Sequence, residues 1–246
     1  MFGVANQRSI AWAIAQALSD NGARVALAYQ NERVRDGVAK LASSLSEVLL
    51  VQCDVTSDDE LEAAFSEVKR EFGTLSVVVH SIAFANRDDL GGEFTKTSRD
   101  GFRIALEISA YSLVPIARHA APLMEPDGGS IITLTFQASN RVFPGYNVMG
   151  TAKAALENEV RQLAAELGIL KIRVNALSPG PVDTLSSRVI KGYSLMKRAH
   201  ADRSPLGRSI TQAEIAKAAL FLSSDLSSDI TGTVLPVDGG YHIMGI

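Results

Sequence analysis

Tyr146 and Lys153 are the pair in this sequence best suited to chemistry. They bracket the run Tyr146-Asn147-Val148-Met149-Gly150-Thr151-Ala152-Lys153. On a helix, seven residues make almost two turns, so the two side chains would share one face. A lysine ammonium beside a phenol favours the phenolate and lowers the phenol pKa. Such a phenol can donate a hydrogen bond or a proton to an oxygen that gains charge on hydride transfer. The ammonium can also hold ribose hydroxyls. An amphipathic helix with a snorkelling lysine explains the same spacing, and for a lone pair it would be the better account. Here the pair follows a predicted central strand in a chain with other dinucleotide-type features, which favours the functional reading.

Those features are loops at strand ends. In Gly3-Val4-Ala5-Asn6-Gln7-Arg8-Ser9-Ile10-Ala11 a glycine opens the loop, and Ser9 is expected to cap the helix that follows. Free amides and the helix N-terminus would then face an anion such as pyrophosphate. The loop lacks G-x-G-x-x-G, so a plain strand-to-helix turn is an equal reading of it alone. Gln30 ends a predicted strand where an adenosine ribose would lie, and no arginine occupies that position to hold a 2′-phosphate, although Arg33 and Arg35 are near. This leans towards NADH over NADPH. Asp54-Val55 follows the next strand, in reach of an adenine edge, or serves as a turn. In Ser178-Pro179-Gly180-Pro181-Val182-Asp183-Thr184 the prolines and glycine force a turn at a strand's carboxyl end. There the backbone of Val182 can face a nicotinamide amide and Thr184 a phosphate.

The elements that must position these loops are legible as apolar runs alternating with helical patterns. Predicted strands cover 24–29, 48–52, 75–79, 131–135 and 172–177, and Thr233-Val234-Leu235-Pro236-Val237 suits a sheet edge. Each is apolar on both faces, as a parallel sheet covered by helices requires. Helices are predicted over 9–20, 98–124 and 146–167, with capping boxes at Ser57-x-x-Glu60 and Thr211-x-x-Glu214. Residues 82–96 and 182–209 carry no clear pattern. The alternation predicts an α/β fold, a Rossmann-like doubly wound parallel sheet in one domain over 1–246. One strand is out of order. Only Met1-Phe2 precede the loop at Gly3, where a strand normally takes ~5–6 residues, so the first strand is expected to be cut short at the sheet centre.

Composition narrows the classes further. The 246 residues are 46% apolar and 21% charged, enough for a packed core. A net charge of −3 gives no global case for nucleic-acid binding. One cysteine, Cys53, excludes an intrachain disulfide and a cysteine-clustered zinc site. No apolar run approaches ~20 residues, so no membrane span is expected, and the N-terminus carries no export pattern. An intracellular, cytoplasmic protein is the expectation. Between Thr184 and Arg208 the sequence is locally basic, with Arg188, Lys191, Lys197, Arg198, Arg203 and Arg208 against Asp202. That asymmetry suits an acidic partner or a phosphate-bearing substrate, or a merely solvated face.

Taken together, these residues resemble the short-chain dehydrogenase/reductase family, and more narrowly the NADH-dependent enoyl-acyl-carrier-protein reductases. The resemblance covers essentially the whole chain. It rests on Gly3-Val4-Ala5-Asn6 with Ser9-Ile10-Ala11, Val79-His80-Ser81-Ile82-Ala83-Phe84-Ala85, the Tyr146/Lys153 run and Val237-Asp238-Gly239-Gly240. Spacing matters most, because the broader family usually shows Tyr-x3-Lys. The resemblance implies hydride delivery from NADH to C3 of a trans-2-enoyl thioester in fatty-acid elongation, in a bacterial cytoplasm. Tyr146 would bond the thioester oxygen and Lys153 the nicotinamide ribose. Gly3, Ser9, Ile10, Gln30, Asp54, Val55, Ser81, Ile82, Val182 and Thr184 would hold NADH, and Ala85, Phe136, Tyr146 and Met149 the acyl group. No metal is implied. A segment over about 184–203 would cover the acyl chain, Lys191, Lys197 and Arg198 would meet the acyl carrier protein, and the chain would form a homotetramer. Two positions depart from the pattern. Phe136 stands where most bacterial members carry a second tyrosine, which removes any donor role there. Asp183 stands where many carry arginine. A carbonyl (3-ketoacyl) reductase using Thr133 as hydroxyl partner, and a non-catalytic relative, are the alternatives.

Overall fold

A computed structural model describes residues 1–185, 187 and 192–245. Among the described residues six parallel strands form the scaffold: β1 (Ala26–Tyr29), β2 (Leu49–Gln52), β3 (Val77–His80), β4 (Gly129–Leu134), β5 (Ile172–Pro179) and β6 (Val234–Val237). β1 pairs with β2, and β3, β4, β5 and β6 follow one another in that order. Phe2 bridges Ala28 of β1 and His80 of β3, both in parallel, and so stitches the two groups together. Met1 and Phe2 stand at the centre, just before Gly3. β6 pairs with β5 alone, and its Pro236 suits that edge.

Helices cover both faces, because strands apolar on both sides leave no face for water. On one face α1 (Ile10–Asp20) and α8 (Gln212–Ser223) pack Ile14, Ile215 and Leu222 against Ile132 and Leu177. On the other, α3 (Asp58–Phe72), α5 (Leu113–Met124) and α6 (Val148–Leu167) bring Leu61, Ile116 and Leu156 against Ile131 and Val174. α2 (Glu32–Ala42) closes the outer end with Val38 and Leu41. The doubly wound reading holds.

Three local expectations are corrected. Residues 98–124 are not one helix: α4 (Arg99–Leu106) passes through a π-turn at Glu107–Tyr111 before α5. The extra residue in that turn sets Ser109 against the loop after β3, where its hydroxyl accepts from Phe84 N at 2.8 Å and donates to Phe84 O at 2.9 Å. The patternless 182–209 stretch contains α7 (Tyr193–Arg203). Only His200 of that helix is buried, so no apolar stripe existed to betray it. Ser57 accepts from Glu60 N as a cap should, but the Glu60 carboxylate turns to Asp54 N at 2.8 Å; the full reciprocal box forms only at Thr211/Glu214.

One outer groove is apolar and partly unsatisfied. Phe102, Leu106, Tyr111 and Ala155 line it beside Glu159, whose Oε2 is buried without a partner among the described residues. Burial pushes the Glu159 carboxyl up to about 7. The folded state therefore holds a proton that the unfolded chain releases near 4.5, and stability falls as pH rises through that window. Glu159→Gln keeps the shape without the charge. Partial exposure screens the penalty to about 1 kcal/mol, so the variant should melt roughly 2–4 °C higher at pH 8 and equal the parent near pH 4. A melting series across pH checks both ends.

Candidate active site

All six strands run the same way, so their carboxyl ends collect one set of loops. At the Phe2–Gly3 end, Gly3 has φ +95°, and a Cβ there would sit 2.0 Å from Ser81 O. Loop and β3 end can approach this closely only through glycine. Ser9 does not cap α1 with its side chain. Its hydroxyl instead accepts from Ala5 N at 3.1 Å and Asn6 N at 2.9 Å. Those two amides, expected to face an anion, are spent inside the loop. The first amides of α1, at Ile10 and Ala11, have no partner within the helix and are the donors left at its N-terminus.

Across the sheet, Gln30 and Asp54 meet: the amide Nε2 donates to Oδ2 at 3.0 Å. Burial alone would raise the Asp54 carboxyl, but hydrogen bonds from Thr56 and Gln30 outweigh it and hold the group below its ordinary value. Val55 and Ile82 pack their apolar sides against the core, and Ser81 N donates to Phe2 O.

Tyr146 is not on the helix. α6 begins at Val148, and Asn147 before it takes φ +40°. Two turns of shared helical stripe therefore do not relate Tyr146 to Lys153. The Tyr146 ring lies 5.1 Å from that of Phe136, which lies 4.7 Å from Phe143. Burial, with Tyr193 adding to it, raises the phenol, so the expected lowering by lysine is not what the structure gives. The reason is where the ammonium goes. Lys153 is buried in α6 and donates to Leu134 O at the end of β4, 2.8 Å away. Burial lowers it to about 8, against the pull of Glu157. Met149 is buried in the first turn of α6, and Gly150 lets that turn approach Ala138, whose O would lie 2.8 Å from a Cβ. Ala85 is half-buried in the loop after β3, and that loop is tied to the Tyr146 segment through Gly91 N to Gly145 O and Asn147 Nδ2 to Gly92 O.

Thr133 is spoken for. Ser112 donates its hydroxyl to Ile108 O, so it accepts from His80 Nε2, and His80 Nδ1 then accepts from Thr133, each at 2.8 Å. Burial, then the Lys153 charge, drives this imidazole down to about 3 and keeps it neutral. A hydroxyl locked in β4 is not at hand for a substrate.

At the β5 end the Val182 carbonyl accepts from the Tyr193 hydroxyl, and the Val182 amide has no partner among the described residues. Thr184 and Ser187 bond one another: Thr184 N donates to Ser187 Oγ at 3.0 Å and Ser187 N to Thr184 Oγ1 at 3.1 Å. Tyr193 reaches both Val182 and the surroundings of Tyr146, yet sequence reasoning passed it by. Its one signal was to be a tyrosine in a long patternless stretch after a Pro-Gly-Pro turn. The basic stretch is partly neutralised. Lys197 pairs with Asp183, Arg198 with Asp202 at 3.6 Å and Arg208 with Glu214 at 2.6 Å. Arg188 and Lys191 lie outside the described residues. Among the described residues no cluster of His, Cys, Asp and Glu could hold a metal ion, and no helix is long and apolar enough to cross a membrane.

The sequence profile of the family described as Enoyl-(Acyl carrier protein) reductase matches residues 3–242. A Bacillus cereus protein named enoyl-[acyl-carrier-protein] reductase [NADH] FabI is 50% identical, over 100% of this chain and 96% of its own. The crystal structure of the Bacillus cereus enoyl-acyl carrier protein reductase with NADP+ and indole naphthyridinone superposes with a TM-score of 0.97 at 50% identity, covering 100% of this chain and 96% of that one. The Anaplasma phagocytophilum reductase in complex with NAD gives 0.96 at 44% identity, over 100% and 93%. With nearly its whole length matched in sequence and in backbone, the chain belongs to the enoyl-(acyl carrier protein) reductase family.

Proposed function

We propose that this chain reduces the 2,3 double bond of trans-2-enoyl thioesters carried on an acyl carrier protein, in the cytoplasm, with NADH as reductant. The observation that carries the reading is the full-length family match, seated on a site where Tyr146 stands free beside Phe136 and a buried Lys153 marks the end of β4.

The donor set fits a dinucleotide. A glycine cradle that a Cβ would fill lies at Gly3, helix amides are left over at Ile10 and Ala11, and Lys153 spends one hydrogen bond on Leu134 O. Gly3, Ser9 and Ile10 would line the diphosphate, Gln30, Asp54 and Val55 the adenosine, and Ser81, Ile82, Val182, Thr184 and Lys153 the nicotinamide half. When bound, the nicotinamide supplies hydride. Lys153 orients ribose hydroxyls with its remaining donors. Tyr146, protonated because burial raises its phenol, donates to the substrate oxygen that gains charge. Phe136 supplies an apolar wall and no proton, and Ala85 and Met149 extend that wall around the acyl group. α7 lies over the turn at Val182 and is the covering segment.

NADH is favoured by Gln30 and Asp54. A carboxylate held ionised 3.0 Å from the Gln30 amide repels a 2′-phosphate. Arg198 and Arg203, exposed on α7, would meet the acidic carrier protein, while Lys197 is already paired with Asp183. The groove at Phe102, Tyr111 and Glu159 is the surface that a homotetramer would cover.

One assay grid tests the reading: an enoyl and a 3-ketoacyl thioester, each with NADH and NADPH. The enoyl substrate should be reduced at least about a hundredfold faster than the ketone, since Thr133 is unavailable as a hydroxyl partner. NADH should exceed NADPH by at least about tenfold in kcat/KM. Preference for the ketone would overturn the reaction, and preference for NADPH the coenzyme.

A further inference from the structure

Val237-Asp238-Gly239-Gly240, one of the runs that carry the family resemblance, takes no part in the chemistry of Tyr146 and Lys153. Asp238 is 3% exposed, and its carboxylate gathers donors from two directions. From one side comes Gln137, the residue after Phe136, whose Nε2 donates to Oδ2 at 2.5 Å. From the other comes the turn that follows. Gly240 N donates to Oδ1 at 3.0 Å and His242 N to Oδ2 at 2.8 Å, with His242 Nδ1 3.0 Å from Oδ1. Tyr241 stands between those two donors. Its ring packs on that of His200, the buried residue of α7, with centroids 4.7 Å apart. The chain leaving α7 docks on the same turn: Leu206 N donates to Gly239 O at 3.2 Å, and a Cβ on Gly240 would stand 2.9 Å from Pro205 Cγ. One carboxylate thus ties the segment at Phe136 to α7.

Gln137 makes this bond at a cost. With Nε2 turned to the carboxylate, its Oε1 is buried without a partner among the described residues. Buried polar atoms are normally paired, and turning the amide over would set oxygen against carboxylate oxygen. The unpaired atom is kept for the sake of the tie. We propose that Asp238 is a positioning residue for the enoyl reduction: it fixes how far the Phe136 wall stands from α7, and so the grip on the acyl chain beyond the thioester. The inference rests on the reading of Phe136 as wall and α7 as cover. A short acyl group ends near the reacting atoms and needs little of that slot. A long one must run between wall and cover, so its binding depends on their separation.

Two variants cut the arms and leave Asp238 in place: Gln137→Met on the wall side and Tyr241→Leu on the cover side. Each should lower kcat/KM for a dodecenoyl thioester by about tenfold, through KM, while kcat/KM for a crotonyl thioester and the Kd of NADH stay within about twofold. Tyr241→Phe keeps the ring and should match the parent. The double variant should be no worse than either single one, because both arms serve one clasp. Hydrogen exchange supplies a readout without turnover. The amides of α7 should exchange faster in Gln137→Met, although the Gln137 side chain bonds only to Asp238 among the described residues. Equal losses on both thioesters mean a merely structural network, additive losses mean two unrelated contacts, and unchanged exchange in α7 means no tie; each overturns the proposal. If the parent reduces neither thioester, it is the enoyl reductase reading that fails, and the exchange comparison still decides whether Asp238 ties the Gln137 segment to α7.

Discussion

Tyr146→Phe should lower turnover of a trans-2-enoyl thioester by about 10²–10³-fold, the usual loss when one donor to a developing oxyanion is removed. Coenzyme Kd should stay within about twofold, because the phenol is packed on Phe136 and makes no hydrogen bond to other described residues. The replaced ring keeps that packing, so the fold should be unchanged. The pH profile separates the two partners. The Tyr146 phenol is raised and stays protonated through neutral pH. Lys153, lowered to about 8, is the group that loses its proton there. Coenzyme binding should therefore weaken as pH rises through about 8, in the parent and in Tyr146→Phe alike. Steady-state kinetics with a fluorescence titration of NADH measure both. Undiminished turnover by the phenylalanine variant would remove Tyr146 from the chemistry.

Gly3→Ala should produce the most severe clash that a single added carbon makes with main chain at any described glycine. Its Cβ would stand 2.0 Å from Ser81 O and 2.7 Å from Ser81 C, both main-chain atoms with nowhere to go. The positive φ adds about 1–2 kcal/mol of its own. Together the cost should reach about 3 kcal/mol or more, a fall of roughly 6–12 °C in melting midpoint, with coenzyme binding lost as the loop is displaced. Gly22→Ala is the matched control. Gly22 also has a positive φ, +87°, but nothing lies within 4 Å of an added Cβ. Calorimetry on the two variants isolates the steric part. Equal losses would mean that the close approach at Ser81 is not a constraint.

The scaffold was legible because buried strands are compositionally loud. Val77-Val78-Val79 and Ile131-Ile132 can be little else in a chain with strand–helix alternation, and their parallel pairing follows. α7 was silent because it buries one histidine, and α2 because charges dilute Val38 and Leu41. At the site, residue types were legible and their conformations were not. The Tyr146/Lys153 spacing is periodic, yet Asn147 at φ +40° turns the chain before the helix begins. A left-handed residue leaves no trace in periodicity. Ser9 could cap a helix or tie up a loop by the same hydroxyl, and local sequence does not choose between them; the fold chose the loop. His80 and Thr133 lie 53 residues apart, and only the β3–β4 register reveals that they neutralise one another.

Phe2 bridges β1 and β3 along the line where the Gln30 side of the sheet meets the Lys153 side. A molecule reaching from the Gln30–Asp54 pair to Lys153 crosses that line and touches both groups of strands at once, so its binding would fasten one to the other.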